Sequence, residues 1–219
     1  MIKDSRHPRF GVGLYSIPEA SRLLKSPVNS VRRWLNPKEG LVHRALDPGE
    51  QTITFLELME LHFIKLFRDQ GVSLPTIRRA AKTAAAQFGT MHPFAVHRFD
   101  TDGRTVFATL LSEEKDTAIV EDLKHGQYVF DGIMRPFFKH IEYGQDEAIR
   151  FWPQGMSGRV VLDPERQFGK PIDSRTGVPA TALYMAVQAG EDPVCVAEWF
   201  DVPLESVRAA VSFEEHLVA

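Results

Sequence analysis

The chain has 219 residues, of which 43% are hydrophobic and 25% charged, with a formal net charge of −3. That suits one large or two small globular domains, at ~100–200 residues per domain. No apolar run reaches the ~18 residues of a membrane helix. The first ten residues, MIKDSRHPRF, carry charge without an apolar core, which does not read as a secretion signal. The single cysteine, Cys195, excludes an internal disulfide and a cysteine-clustered zinc site; inside VCVAEWF it reads as a buried, inert thiol. The expected location is the cytoplasm, with no membrane partner.

The net charge conceals a division. Residues 1–99 hold 15 Lys/Arg and 8 Asp/Glu, whereas residues 100–219 hold 11 and 21. A basic half joined to an acidic half points to two different partners, one of them polyanionic.

In chain order, Ser16 reads as an N-cap, followed by Pro18 in the first helical turn and Glu19 at the positive end of the dipole. Ile17, Ala20, Leu23 and Leu24 form one apolar face. Pro27 breaks that helix, and a second short helix runs from about Val28 to Leu35 with Val28, Val31 and Leu35 inward. This leaves Asn29, Ser30, Arg32 and Arg33 outward, while Trp34 reads as core. Two short helices joined by a tight turn make a helix-turn-helix, whose second helix can enter a major groove. LVHRAL and QTITF, flanking an Asp-Pro-Gly turn, read as a β-hairpin or wing. FLELMELHFIKLFRDQG is an amphipathic helix stopped by Gly71, and SLPTIRRAAKTAAAQF is a further helix capped by Ser73.

From Tyr15 through Leu35 the order of an aromatic, Ser16-Ile17, Glu19-Ala20, Leu23, Ser30 and VRRW resembles the start of MerR-type winged helix-turn-helix domains. The resemblance extends over about residues 13–90, through Gly40-Leu41, the Pro48-Gly49 turn, FLELMEL and LFRDQGVSLPTIRRA. It implies operator DNA as a partner. The chain departs from the family at Lys25, where a turn glycine is usual, and at Gln51 and Ile53, where the wing usually has arginine and tyrosine. The chemistry suits the implied partner. Arg32 and Arg33 can pair with guanine or phosphate, Asn29 with adenine, and Ser30 with phosphate. Arg22, Lys25, His43 and Arg44 would add electrostatic grip. The expected DNA-binding set is therefore Arg22, Lys25, Asn29, Ser30, Arg32, Arg33, His43 and Arg44.

The middle of the chain reads as a small α/β segment. FAVHRFDTDGRTVFATLL alternates around Asp-Thr-Asp-Gly, a hairpin signal. A helix starts or kinks at Pro136 in FDGIMRPFFKHIEY, and EAIRFWP reads as a short strand before Pro153. His97, His125 and His140 have no metal-ligand spacing, and Asp100 and Asp102 suit turn chemistry. No phosphate-cradling glycine loop, nucleophile elbow or acid–base pair occurs, so no catalytic residue, cofactor or metal is expected.

In the last third, RVVLDP reads as a strand and FGKPIDSRTGVPA as a Gly/Pro-rich loop carrying Lys170 and Arg175. A helix follows from about Pro179 to Gln188, then PVCVAEWF capped by Asp192, then LESVRAAVSF. This is again helix-turn-helix-like, but Glu205, Glu214 and Glu215 would oppose phosphate, so a protein–protein role suits it better. Residues 158–217 resemble the VapB-type antitoxin domain catalogued as domain-of-unknown-function family 433. The resemblance is carried by Leu162-Asp163-Pro164, Gly169-Lys170-Pro171, Arg175-Thr176, Val178-Pro179, Ala189-Gly190 and VRAAVSFEEHL, with the usual GTR core altered to DSRTG. It implies a PIN-like ribonuclease toxin as partner. Lys170, Arg175, Trp199 and Phe200 are the candidate contacts with that toxin, and a homodimer is expected because one short reading helix gives little specificity and symmetric half-sites double it.

The expected architecture is α+β and mostly helical. It divides into a MerR-like domain (1–92), a connecting segment containing a β-hairpin (93–157) and an antitoxin and dimerisation domain with three helices (158–219). The favoured function is a non-enzymatic antitoxin that represses its own operon. The alternative is a MerR-type regulator whose C-terminal half senses a small molecule, with FDGIMRPFFKHIEY lining its pocket.

Overall fold

A computed structural model describes residues 12–38, 41–46, 51–113, 117–129, 132 and 138–218. The fold is α+β and mostly helical, as the sequence indicates. The chain divides into two units. Among the described residues, one comprises those within 16–139 together with 143–148, and the other those within 12–15, 140–142 and 149–218.

The first unit starts with α1 (Ile17–Leu23) and α2 (Val28–Trp34). Ser16 caps α1 in a reciprocal box with Glu19: the Glu19 N–H donates to the Ser16 hydroxyl and the Ser16 N–H to the Glu19 carboxylate. Helices α3 (Phe55–Asp69) and α4 (Leu74–Phe88) follow, capped by Thr54 and Ser73. Gly71, at φ +86°, takes the left-handed conformation that turns the chain between them. Phe63, Phe67, Phe94, Phe99, Phe107 and Phe138 are all buried and form one aromatic cluster, with ring centroids 4.8 Å apart at the closest, between Phe94 and Phe99.

Two expectations give way here. The residues read as a hairpin around Asp100–Gly103 form helix α5 (His97–Glu113), followed by α6 (Thr117–Val129). The apparent alternation also places Phe99, Val106 and Phe107 at helical spacing, and burying these in the aromatic cluster outweighs the turn preference of Asp-Gly. The hairpin of the connecting segment lies later, where β3 (Ile141–Tyr143) adjoins β4 (Ala148–Phe151), the strand expected before Pro153. The wing also differs from the expectation. Residues 41–46 contain no strand, and β2 (Thr52–Ile53) lies beside β1 (Tyr15–Ser16) rather than beside LVHRAL. The helix expected at Pro136 falls outside the described residues.

The second unit holds β5 (Val160–Leu162) between β4 and β6 (Pro171–Asp173), in antiparallel register with Val161 opposite Ile172. All three residues of β5 are buried. Arg150 ties the sheet laterally, donating from Nε to Asp163 (2.8 Å) and from Nη1 to Glu142 (2.9 Å). Gly169 takes φ +82°, and its carbonyl accepts the Tyr15 hydroxyl at 2.7 Å. A Cβ at Gly169 would lie 2.4 Å from that oxygen, so only glycine fits this approach. Helices α7 (Ala180–Gln188), α8 (Pro193–Trp199) and α9 (Leu204–Val218) complete the unit. The Thr181 hydroxyl donates to buried Glu214 at 2.8 Å, fastening α7 to α9.

The α1–α2 and α8–α9 pairs have the same turn. Lys25 (φ 47°) and Asp201 (φ 50°) are left-handed, and each stands two residues before a proline, Pro27 or Pro203. The hydrogen bonds match one for one. Ser26 N–H donates to Ser21 and Val202 N–H to Ala197, both at 3.0 Å; Ser30 N–H donates to Pro27 and Ser206 N–H to Pro203, both at 2.9 Å. The fully buried Val31 of one pair is matched by the fully buried Val207 of the other.

Helices α5 and α6 approach closely at Gly126, where an added Cβ would meet the Phe107 ring at 2.7 Å. Phe107 is 1% exposed and cannot swing away. Gly126→Ala therefore lowers stability by ~1–3 kcal/mol, the usual range for overpacking, despite alanine's better helix propensity. Urea denaturation of the two proteins measures the difference.

Candidate functional site

Helix α2 buries Val31 and Trp34 and leaves Asn29, Arg32 and Arg33 exposed, with Ser30 half-buried. A helix of seven residues can split its faces this sharply because its inward residues are spaced three and four apart and Leu35 is also buried. The exposed side therefore offers two guanidinium forks and an amide, the groups that read guanine and adenine edges in a major groove. Arg22 and Lys25 are also exposed on the α1 side of the turn. Lys25, at φ 47°, takes the left-handed backbone conformation that glycine adopts most readily. A lysine in that conformation costs ~1–2 kcal/mol relative to the right-handed helical form.

His43 is exposed, but Arg44 is not available in the way the sequence suggests. Its side chain is 6% accessible. Arg44 Nε donates to Glu57 at 3.1 Å and its Nη2 to the Thr52 carbonyl at 2.7 Å. The Ala45 N–H also donates to Glu57, at 2.9 Å, and the Thr54 N–H at 2.6 Å. Arg44 and Glu57 thus hold the 43–45 segment against α3, which positions His43. This anchoring replaces the ladder that a regular wing hairpin would use.

One turn further along α3 sits a second buried carboxylate that sequence reasoning missed. Glu60 accepts from the Phe94 N–H (2.6 Å) and the Ala95 N–H (3.1 Å), so it pins the segment entering α5. Burial pushes its pKa up to about 8, partly offset by those two donors. His92, also buried, is held below the usual histidine value by desolvation, and its ring centroid lies 6.4 Å from that of His43. The signal was present in FLELMEL, where Glu57 and Glu60 fall on the apolar stripe rather than opposite it.

In the second unit, Lys170 and Arg175 are exposed on either side of β6. Asp173, at the end of that strand, accepts from the N–H and hydroxyl of Thr176. Burial alone would raise its carboxyl pKa, but hydrogen bonds from Ser206, Thr176 and the Arg175 backbone hold it below the ordinary range. Trp199 is 62% exposed and Phe200 37%. Cys195 is exposed, contrary to the buried thiol expected from its apolar run. Helical spacing turns Val196 and Ala197 inward and Cys195 outward. The α9 positions matching Asn29, Arg32 and Arg33 carry Glu205, Arg208 and Ala209, and Glu205 lies 3.7 Å from Arg159. The shared motif, Pro27-x-x-Ser30-Val31-Arg32 and Pro203-x-x-Ser206-Val207-Arg208, is the sequence trace of this correspondence.

Among the described residues, no cluster of three His, Cys, Asp or Glu could hold a metal ion. Among them also, no helix is long and apolar enough to cross a membrane.

The two units define a helix-turn-helix protein with one cationic outer face and one acidic, aromatic one. No family model matches the chain. It is 30% identical over 227 residues to "Putative antitoxin VapB45" of Mycobacterium tuberculosis (strain ATCC 25618 / H37Rv), a match spanning 93% of this chain and 94% of that protein. The chain belongs to the VapB-type antitoxin family. The fold is similar to the X-ray crystal structure of Rv2018 from Mycobacterium tuberculosis, with a TM-score of 0.76 at 23% identity, covering 93% of this chain and 99% of that one.

The raised Glu60 pKa has a testable sign. The folded state holds a proton that the unfolded chain, near its ordinary value of 4.5, releases. The Glu60 contribution is therefore most favourable below pH 4.5 and is lost as pH rises to about 8, at up to ~1.4 kcal/mol per pH unit. Glu60→Gln keeps an acceptor for Phe94 and Ala95 and flattens this decline. Denaturation curves at pH 5, 6.5 and 8 compare the slopes of variant and wild type.

Proposed function

We propose that this protein is the antitoxin of a type II toxin–antitoxin system. It neutralises a PIN-like ribonuclease toxin and represses its own operon by binding operator DNA. The observation that carries the DNA half is α2, which exposes Arg32 and Arg33 while burying Val31 and Trp34. The toxin half rests on membership of the VapB-type family and on the acidic second unit.

On this reading residues 1–92 form a MerR-like reading domain, 93–157 connect, and 158–219 bind the toxin and pair subunits. Asn29, Ser30, Arg32 and Arg33 contact bases and phosphates, and Arg22, Lys25 and His43 grip the flanking backbone. Arg44 acts by holding His43 in place through Glu57. A homodimer in the cytoplasm reads two half-sites, since one helix this short contacts few base pairs. At ~6–10 neutralised phosphates, affinity falls by ~10³-fold or more between 50 and 200 mM salt.

A second reading, a regulator that senses a small molecule, has one structural feature in its favour. A groove of about 750 Å³ runs between α4 and α5, lined in part by Arg79, Lys82, Thr83, Gln87 and Thr109. Its two cationic lining residues, Arg79 and Lys82, suit an anionic ligand.

Arg32→Ala with Arg33→Ala abolishes the gel shift of the operon's own promoter fragment and leaves the circular dichroism spectrum unchanged. A double variant that shifts the fragment as well as wild type removes α2 from the groove.

A further inference from the structure

We infer that the toxin docks on the outer face of α8, through a basic surface that offers an apolar pocket to Trp199 and Phe200. This rests on the antitoxin reading above and narrows it to one helix and one partner chemistry.

The comparison of the two helix-turn-helix pairs carries the inference. Phe200 stands where the first pair has Leu24, which is 2% exposed, yet Phe200 is 37% exposed. Trp199 stands where the first pair has half-buried Leu23, yet it is 62% exposed. Val194 on the same helix is 50% exposed and Met185 on the neighbouring α7 is 64%. Thus the same supersecondary unit encloses these positions in one case and leaves them open in the other. An open Trp-Phe pair is the composition of an interface anchor.

Charge decides what covers it. Residues 176–207 contain no Lys, Arg or His, and they contain Glu191, Asp192, Glu198, Asp201 and Glu205. Two copies of this face pressed together about a twofold axis would set carboxylates against carboxylates. A basic partner meets complementary charge instead, and an enzyme that handles RNA needs such a surface. A basic partner repels Lys170 and Arg175, which therefore lie outside the contact.

The test uses full-length protein and the product of the open reading frame adjacent to its gene, co-expressed and then titrated by calorimetry. Trp199→Ala weakens the complex by at least about 30-fold. Glu198→Lys, at an exposed position, weakens it by ~10-fold and reduces its sensitivity to salt. Lys170→Ala with Arg175→Ala leaves affinity unchanged. Operator binding and circular dichroism of each variant match wild type, which separates lost contact from lost fold. If wild type binds and protects cells while Trp199→Ala and Glu198→Lys do equally well, the α8 assignment is wrong and the antitoxin reading stands. If Trp199→Ala instead splits a dimer while toxin affinity is retained, the face belongs to a second copy and the inference is also overturned. If wild type neither binds nor protects, the antitoxin reading itself fails.

Discussion

The turn that joins the two helices of each pair governs what both units can present to a partner. At Lys25 and again at Asp201 the backbone enters the left-handed region, and a proline two residues later forbids the first helix from continuing. Each turn is closed by the same pair of main-chain hydrogen bonds and by a buried valine one turn into the second helix. The angle between the helices follows from those constraints and not from the identity of the outward residues. Outward residues are consequently free to differ, and they do.

The outward residues of the two pairs differ in charge. On α2 the outward set is Asn29, Arg32 and Arg33, whereas the matching positions on α9 are Glu205, Arg208 and Ala209. Phosphate would attract the first set and is opposed by Glu205 in the second. The second pair instead leaves Val194, Trp199 and Phe200 open on the helix before the turn. One scaffold thus supplies a cationic face in the basic half and an aromatic, acidic face in the other.

Much of this was legible in the residues. The caps at Ser16, Ser73 and Asp192, the inward Val31 and Trp34, and the short helices in both halves follow from local rules with no competing contact. The failures have two causes. Asp100–Gly103 has strong turn chemistry, but it lies among Phe99, Val106 and Phe107, and burial of those rings fixed a helix. Wing residues 41–46 look like a strand by alternation, yet Arg44 and Ala45 direct their donors to Glu57. Cys195 sits in an apolar run whose helical phase points it outward. For the hairpin and the wing the deciding partner is distant in sequence, at a side chain that a local window does not contain, whereas for Cys195 it is the phase of its own helix. Glu57 and Glu60 are the clearest instance, since a carboxylate on an apolar stripe makes sense only once the main-chain donors at 45, 54, 94 and 95 are in place.

The antitoxin account is tested most directly by growth. The open reading frame adjacent to this gene is expressed from an inducible promoter in a bacterial host, alone and together with this protein. The account predicts that the neighbour arrests growth by itself and that co-expression restores it. A neighbour that is harmless in both cultures, or one whose toxicity this protein leaves unchanged, would contradict it.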